Sequence, residues 1–400
     1  MKKFKYRAMS TDGNKINGDY NASSRDEVIS MITANGYYPL MVEEIVESTK
    51  IEFKFLEKVT TKDIAIFCRQ LYTMMDAGVS INSALNIMSK QITNKKLKNV
   101  VAEIEEEVEK GEMLSTAMKK YSDVFPNLLI SMVESGEISG NLDTMMLRMS
   151  AHYEKENKIN NKIKAAMVYP AVLSVVAIVA VMFIMTFVMP TFMDMFASEE
   201  INLPLITKIL LGASGFLQNN VVLIIIFFIF GVVGLRYYKK TEQGILTFSY
   251  LKLNLPILGS LNKKIIVSRF TRTLSTLLAS GVSLVQALPV VGGVLGNKIA
   301  QDALENVRER VVRGEGLSEP IKQISIFPEM LSSMINIGEE TGQLDEILNK
   351  TADFYDEEVE QAITTTTALI EPLLIVVMGL VIGLIVVSIM LPMFDMYSIM

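Results

Sequence analysis

The sequence predicts an all-α membrane protein built from two repeated cytoplasmic helical bundles, three transmembrane helices and a small N-terminal β-hairpin-plus-helix region. Three observations predict it. Uncharged runs of 29 residues between Lys164 and Asp194, 27 between Lys208 and Arg236 and 23 between Glu371 and Asp395 can each cross a bilayer core, which takes about 20 apolar residues as helix. The stretch FPNLLISMVESGEISGNLD (125–143) returns as FPEMLSSMINIGEETGQLD (327–345), with ten of nineteen positions identical. Between these landmarks apolar residues recur at spacings of three and four, as in Ile64, Phe67, Cys68, Leu71, Met74 and Met75, the period of an amphipathic helix.

The N-terminal region, residues 1–50, differs from the rest. FKYRAMSTDGNKINGDY alternates around Asp12-Gly13 and Asn17-Gly18, which read as hairpin turns. An amphipathic helix follows from Arg25 to Asn35. So small a region is expected to pack on the first bundle or on a partner. MKKFKYRAMSTDGNKING has charge with no apolar run behind it, so it is not a signal peptide and residue 1 is expected in the cytoplasm.

The first bundle, 60–165, is duplicated as 263–368. FCRQLYTMMDAGVSINSAL (67–85) aligns with FTRTLSTLLASGVSLVQAL (270–288) at an offset of 203, pairing Phe67 with Phe270, Arg69 with Arg272, Leu71 with Leu274 and Gly78 with Gly281. After Lys110-Gly111-Glu112 one residue drops out and the offset becomes 202. Gly78 can take a left-handed helix-end position and Ser80 can cap the next helix. A longer helix runs through KNVVAEIEEEVEKG, and Ser115 and Ser318 stand where another begins.

In the quoted stretch, Pro126 and Pro328 suit a first helical turn. Gly136 and Gly338 are expected to end that helix, and Ser139 or Asn141, or Thr341, to start the next. That helix buries Leu142, Met145, Met146 and Met149 in one copy and Leu344, Ile347 and Leu348 in the other. Substituting Gly338 by Leu should then force a side chain into a left-handed turn. Both copies place a glutamate in the turn, Glu137 and Glu339. Such a carboxylate can compensate helix N-terminal amides nearby, offer a surface contact to a partner, or do both.

The spans follow at 166–190, 219–236 and 370–392, with 191–218 as an extracytoplasmic loop. Pro170 pairs with Pro372 and Pro190 with Pro392, so both copies set prolines 20 residues apart, a helical length of about 30 Å. Lys158, Lys162 and Lys164 precede the first span and Arg236, Lys239 and Lys240 follow the second, which puts both bundles and the N-terminus in the cytoplasm. The tail PMFDMYSIM has no basic residue and suits an exit outward. The middle span has no partner in the repeat; it supplies the return that two like-oriented units need.

Composition agrees and excludes several functions. Four hundred residues exceed one ordinary core; half are hydrophobic, only 20% are charged, and mean hydropathy is +0.34. One cysteine, Cys68, and one histidine, His152, leave no disulfide framework and no Cys/His metal cluster. Cys68 lies on an apolar helical face and reads as a small core residue; His152 reads as a partly exposed helix residue. The net charge of −6 argues against nucleic-acid binding. No G-x-x-x-x-G-K-[ST] loop exists, since GGVLGNKI misplaces its lysine. No span carries an interior charge to mark a proton relay. Glu371, beside Pro372 and opposite Tyr169 in the repeat, sits at the membrane edge, where it could bind a partner or ion but reads first as a snorkelling carboxylate. No catalytic residue, metal or cofactor is expected.

The doubled F-P-x-x-L…G-E-x-[ST]-G-x-L-D turn, the G-V-S turn upstream, the three spans and the F-x-Y-x-A opening together resemble the polytopic inner-membrane platform family, the type II secretion F proteins and their type IV pilus counterparts. The resemblance covers nearly the whole chain. It implies a non-enzymatic base on which pilin or pseudopilin subunits are lifted from the bilayer into a fibre by a hexameric assembly ATPase, or a retraction ATPase, docked on the two bundles. It also implies contacts with other inner-membrane assembly proteins and with lipid, and homo-oligomers. Gly136, Glu137, Gly140, Gly338, Glu339 and Gly342 match the family's motif. The rivals are a small transporter, which would want more polar groups at mid-membrane than Ser174, Thr186 and Ser388, and a membrane-bound enzyme, for which no constellation is found.

Overall fold

The computed structural model describes residues 2–9, 15–44, 58–192 and 204–399. They fall into two compact units, Met1–Lys58 and Val59–Met400.

In the first unit β1 (Lys2–Met9), β2 (Lys15–Ala22) and β3 (Tyr38–Glu44) form an antiparallel sheet in the order β2-β1-β3, with α1 (Arg25–Ala34) between β2 and β3. Phe4, Ala8, Ala22, Val28, Ile32 and Val42 form its core. The hairpin and helix are as expected, but the third strand, YPLMVEE, was not. Its Pro39, which cannot donate to a ladder, sits on this edge strand beside the register shift at Arg7/Ala8. Asp12-Gly13 lies outside the described residues. Asn17-Gly18 is no turn: it lies within β2, and the Tyr6 side chain occupies the space a side chain at Gly18 would need, its hydroxyl 2.7 Å from where a Cβ would stand.

In the second unit α2 (Thr61–Asp76), α3 (Ile81–Gln91), α4 (Lys95–Glu109), α5 (Leu114–Lys119) and α6 (Asn127–Ser139) lead into α7 (Leu142–Phe183), which continues through a π-turn at Ile184–Val188 to Phe192. Then come α8 (Leu205–Asn219), α9 (Val221–Tyr238) and α10 (Glu242–Asn254). The second copy is α11 (Leu258–Leu278), α12 (Leu284–Val294), α13 (Lys298–Val312), α14 (Ser318–Lys322), α15 (Glu329–Thr341) and α16 (Leu344–Ile399).

The copies correspond helix for helix, and so do their local signals. Ser80 caps α3 by accepting from the Ser83 amide after Gly78 turns at φ +81°. Asn94 and its counterpart Asn297 cap α4 and α13. Phe67 packs on Phe125 at 5.4 Å between centroids, and Phe270 on Phe327 at 5.0 Å. The residue lost between copies falls between α5 and α6, where Tyr121 to Phe125 is matched by the shorter Ile324 to Phe327.

Among the described residues three helices are long and apolar enough to cross a membrane: Leu142–Phe192, Val221–Tyr238 and Leu344–Pro392. Two are continuous with the bundles. With 51 and 49 residues in those stretches, each is a rod of roughly 75 Å. α10 was not foreseen. It fills the gap before the second bundle, where the Asn297 side-chain amide donates to the Ser249 carbonyl at 3.0 Å. Its link to α11 is a tight turn at Ile257, φ +70° and ψ −57°, closed by the Leu258 amide on the Pro256 carbonyl at 2.8 Å, a conformation that costs about 1–3 kcal/mol for a side-chain-bearing residue.

Candidate functional site at the joints of the two repeats

The repeated turn is a three-helix joint. α6 ends at Ser139, and Gly140 adopts φ +74°; in the second copy Gly342 adopts φ +69°. The amides of Asn141 and Gln343 reach back to the carbonyls of Gly136 and Gly338 at 3.0 and 3.1 Å, the Schellman arrangement. This corrects the expectation for Gly136 and Gly338: both are still helical, one turn before the end. They are glycines because the next helix starts against them. A Cβ at Gly136 would stand 2.9 Å from Leu142 Cα, and one at Gly338 the same distance from Leu344 Cα.

Glu137 and Glu339, one residue on, face a different neighbour. The Glu137 carboxylate accepts from the amides of Leu114 and Ser115 at 2.6 and 2.9 Å. Glu339 accepts from Leu317 and Ser318 at 2.5 and 3.2 Å. These are unsatisfied first-turn amides of α5 and α14, and an ionised carboxylate is their best acceptor. These are the hydrogen bonds that the compensating reading calls for. One helical turn joins α5, α6 and α7 through the glycine on one side and the glutamate on the next.

A second arrangement went unread in the sequence. Arg69 binds Glu154 bidentately, with both oxygens 2.8 Å from Nη2, and the residues at the corresponding positions, Arg272 and Asp356, pair at 2.6 Å. Arg272 also holds Asp353 at 2.7 Å and Asn349 at 3.0 Å, and its side chain is 11% exposed against 45% for Arg69. The signal was available: an acid follows each repeated arginine at a matching distance along the chain, Glu154 after Arg69 and Asp356 after Arg272.

The copies share one continuous hydrophobic core, and α7 lies against α16 and α11. Repeat-related residues meet across this contact: Lys158 pairs with Glu360 at 3.2 Å, and the Tyr169 hydroxyl donates to Glu371 at 3.1 Å. Both pairs are separated by the repeat offset, as a local two-fold axis between the rods requires. Lys162 also binds Glu360, Lys155 binds Asp353 at 2.8 Å and Lys264 binds Glu358 at 2.6 Å. Pro170 is buried, whereas Pro372 is exposed.

His152 is buried here, not partly exposed, because α7 is covered by the second copy. It lines a cavity of about 40 Å³ with Arg269, Arg272, Thr273 and Asp356, beside apolar neighbours such as Ile265 and Val359. His152 Nδ1, Arg272 Nε and Thr273 Oγ1 have no hydrogen-bond partner. Burial, with Arg272 and Arg269 nearby, lowers the imidazole to about 4. Cys68 is buried as expected, and burial raises its thiol far above the usual range. Among the described residues no group of three or more His, Cys, Asp or Glu is placed to hold a metal ion. The arrangement positions helices and ties two membrane rods together.

Comparison with known proteins agrees with this architecture. Residues 67–190 and 270–392 each match "Type II secretion system (T2SS), protein F", and residues 1–43 match the N-terminal domain of that protein. The chain is 35% identical to the type IV pilus assembly protein PilC of Thermus thermophilus over 98% of its own length and 97% of the relative's. It is 35% identical to PilC of Pseudomonas aeruginosa over 85% and 91%, and 32% identical to the type II secretion system protein F of Aeromonas hydrophila over 93% and 97%. The doubled family match, on the same two segments that form the doubled fold, makes this chain a member of the type II secretion system protein F family.

Proposed function

We propose that this protein is a non-enzymatic inner-membrane platform that couples a cytoplasmic hexameric assembly ATPase to the insertion of pilin or pseudopilin subunits into a growing fibre. The observation that carries the reading is the continuity of α7 and α16. Each begins at a glycine-capped joint inside a helical bundle and runs without a break into a membrane-crossing stretch. A push or rotation applied to the bundle thus reaches the membrane through a single hydrogen-bonded rod. The shared core and the ion pairs between the rods make the copies move together. Relatives bearing both the pilus and the secretion names support the role common to the two machines.

In this reading both bundles and the N-terminal unit face the cytoplasm and the last helix ends outside, in keeping with the lysines and arginines at the inner ends. The bundles bind the ATPase and the spans bind pilin helices, beside other assembly proteins and further copies of the chain. Affinity capture of the tagged full chain from gently solubilised membranes tests this. Recovery of the assembly ATPase together with a prepilin is expected; recovery of neither overturns the role. Reporter fusions at residues 100 and 300 should both report the cytoplasm, and opposite sides would refute the topology.

A further inference from the structure

Pro190 and Pro392 stand at corresponding positions near the far ends of the two rods, and neither has an N–H to give the carbonyl four residues earlier. In α16 that orphan is the Ser388 carbonyl, and the Thr207 hydroxyl of α8 donates to it at 2.8 Å. In α7 it is the Thr186 carbonyl, and the Gln218 side-chain amide of α8 donates to it at 2.9 Å. The π-turn adds a third. The Met189 amide bonds Ile184 instead of Met185, the carbonyl four residues before it. The Met185 carbonyl is left over, and the Ser214 hydroxyl of α8 donates to it. One short helix thus answers all three carbonyls, with Thr207, Leu211, Ser214 and Gln218 on one face at spacings of four, three and four.

The opposite face of α8 is apolar. Leu205, Ile209 and Phe216 are 79%, 69% and 58% exposed, whereas Thr207 and Ser214 are buried at 1%. This is the inverse of a helix lying in water, with hydroxyls inward and large hydrocarbon side chains outward. Its level fits the bilayer too. Seventeen residues of α7 separate the Tyr169–Glu371 contact from Thr186, about 26 Å of helix. α9 leaves α8 at Asn220 and runs 18 residues to Tyr238, about 27 Å, against a hydrocarbon core of about 30 Å.

We propose that α8 is not part of an aqueous loop but a crosspiece embedded in the bilayer. Its polar face clasps the proline-freed carbonyls of both rods, and its apolar face lies among lipid acyl chains. An unpaired carbonyl at that depth has no water to turn to, so the clasp holds more firmly than the same bonds would in solution. Inserting prolines at matching positions in both copies then creates two acceptors that only a helix bridging the rods can satisfy. The clasp ties the rods at the end opposite the bundles.

The chain contains no tryptophan, so Ile209→Trp and Phe216→Trp each provide a single tryptophan on the outward face, excited at wavelengths the tyrosines do not absorb. The full chain, reconstituted in phosphatidylcholine vesicles with brominated acyl chains, should lose most of this emission and resist aqueous iodide. Quenching by iodide but not by bromine, or by neither because a second copy covers the face, overturns the lipid assignment. For the clasp, Gln218→Leu should lower the melting temperature clearly in the parent chain and far less in the Pro190→Ala background, where the amide is restored. Equal losses in both backgrounds overturn the pairing with Pro190.

Discussion

Replacing Glu339 by Gln separates the structural reading of the glycine-glutamate turn from a partner-contact reading. The carboxylate takes the Leu317 and Ser318 amides, one on each oxygen. Gln keeps one acceptor, turns an NH2 group toward the other amide and removes the charge. A hydrogen bond to a charged group contributes about 1.5–3 kcal/mol net, so losing one and weakening the other costs about 2 kcal/mol locally. Amide exchange measures this at the site: about 2 kcal/mol is roughly a thirtyfold faster exchange where opening is local. Hydrogen exchange with mass analysis of the full chain in detergent should show this acceleration in the peptide spanning α14, with the span peptides unchanged. Glu340→Gln is the control, since Glu340 is exposed and accepts only from Asn336 on its own helix; its effect should stay within about 0.5 kcal/mol. Unchanged α14 exchange in Glu339→Gln together with loss of ATPase capture would refute the reasoning and return Glu339 to the surface.

The other predictions rest on burial and close approach. Gly338→Ala gains about 1 kcal/mol of helix propensity but sets a Cβ 2.9 Å from the Leu344 backbone, where overpacking costs about 1–3 kcal/mol; a lower melting temperature is expected, and a rise would show that α16 does not start against it. Arg272→Ala strands Asp356, which is 19% exposed, and should cost about 3 kcal/mol or more, whereas Arg69→Ala, at an exposed pair, should cost at most about 1 kcal/mol and less at high salt; comparable losses in melting experiments would contradict the burial difference. His152 has a native value of about 4 against 6.5 unfolded, so the unfolded chain binds the extra proton first. Its contribution is complete above pH 6.5 and is lost as pH falls towards 4, up to about 3 kcal/mol. Melting curves of His152→Gln should show a flatter pH dependence in that window.

Much of the fold was legible because it rests on short-range rules. Ser80 and Gly78 do what such residues do at any helix junction, and runs that long without charge have few alternatives to spanning a bilayer. The duplication was visible as matching letters because both copies meet the same local demands. Gly136 and Gly338 were misread for a physical reason. A glycine kept for a close approach and one kept for a left-handed turn look identical in sequence, and Gly140 and Gly342, four residues later, hold the turn. His152 was misread because its helical face looks moderately polar until a second helix layer covers it.

By itself the sequence determined the helices of the two bundles, caps such as Ser80, the apolar runs long enough to span and the doubling, since each depends on residues within a few turns of one another or on composition over one bilayer thickness. Only the tertiary structure decided that the copies share a core, that Lys158 meets Glu360, that Glu137 serves the α5 amides, and that α8 answers the carbonyls freed by two prolines 202 residues apart. Those facts depend on which surfaces meet. Chain spacing cannot encode that, because an unpaired amide or carbonyl looks the same in sequence whatever eventually satisfies it.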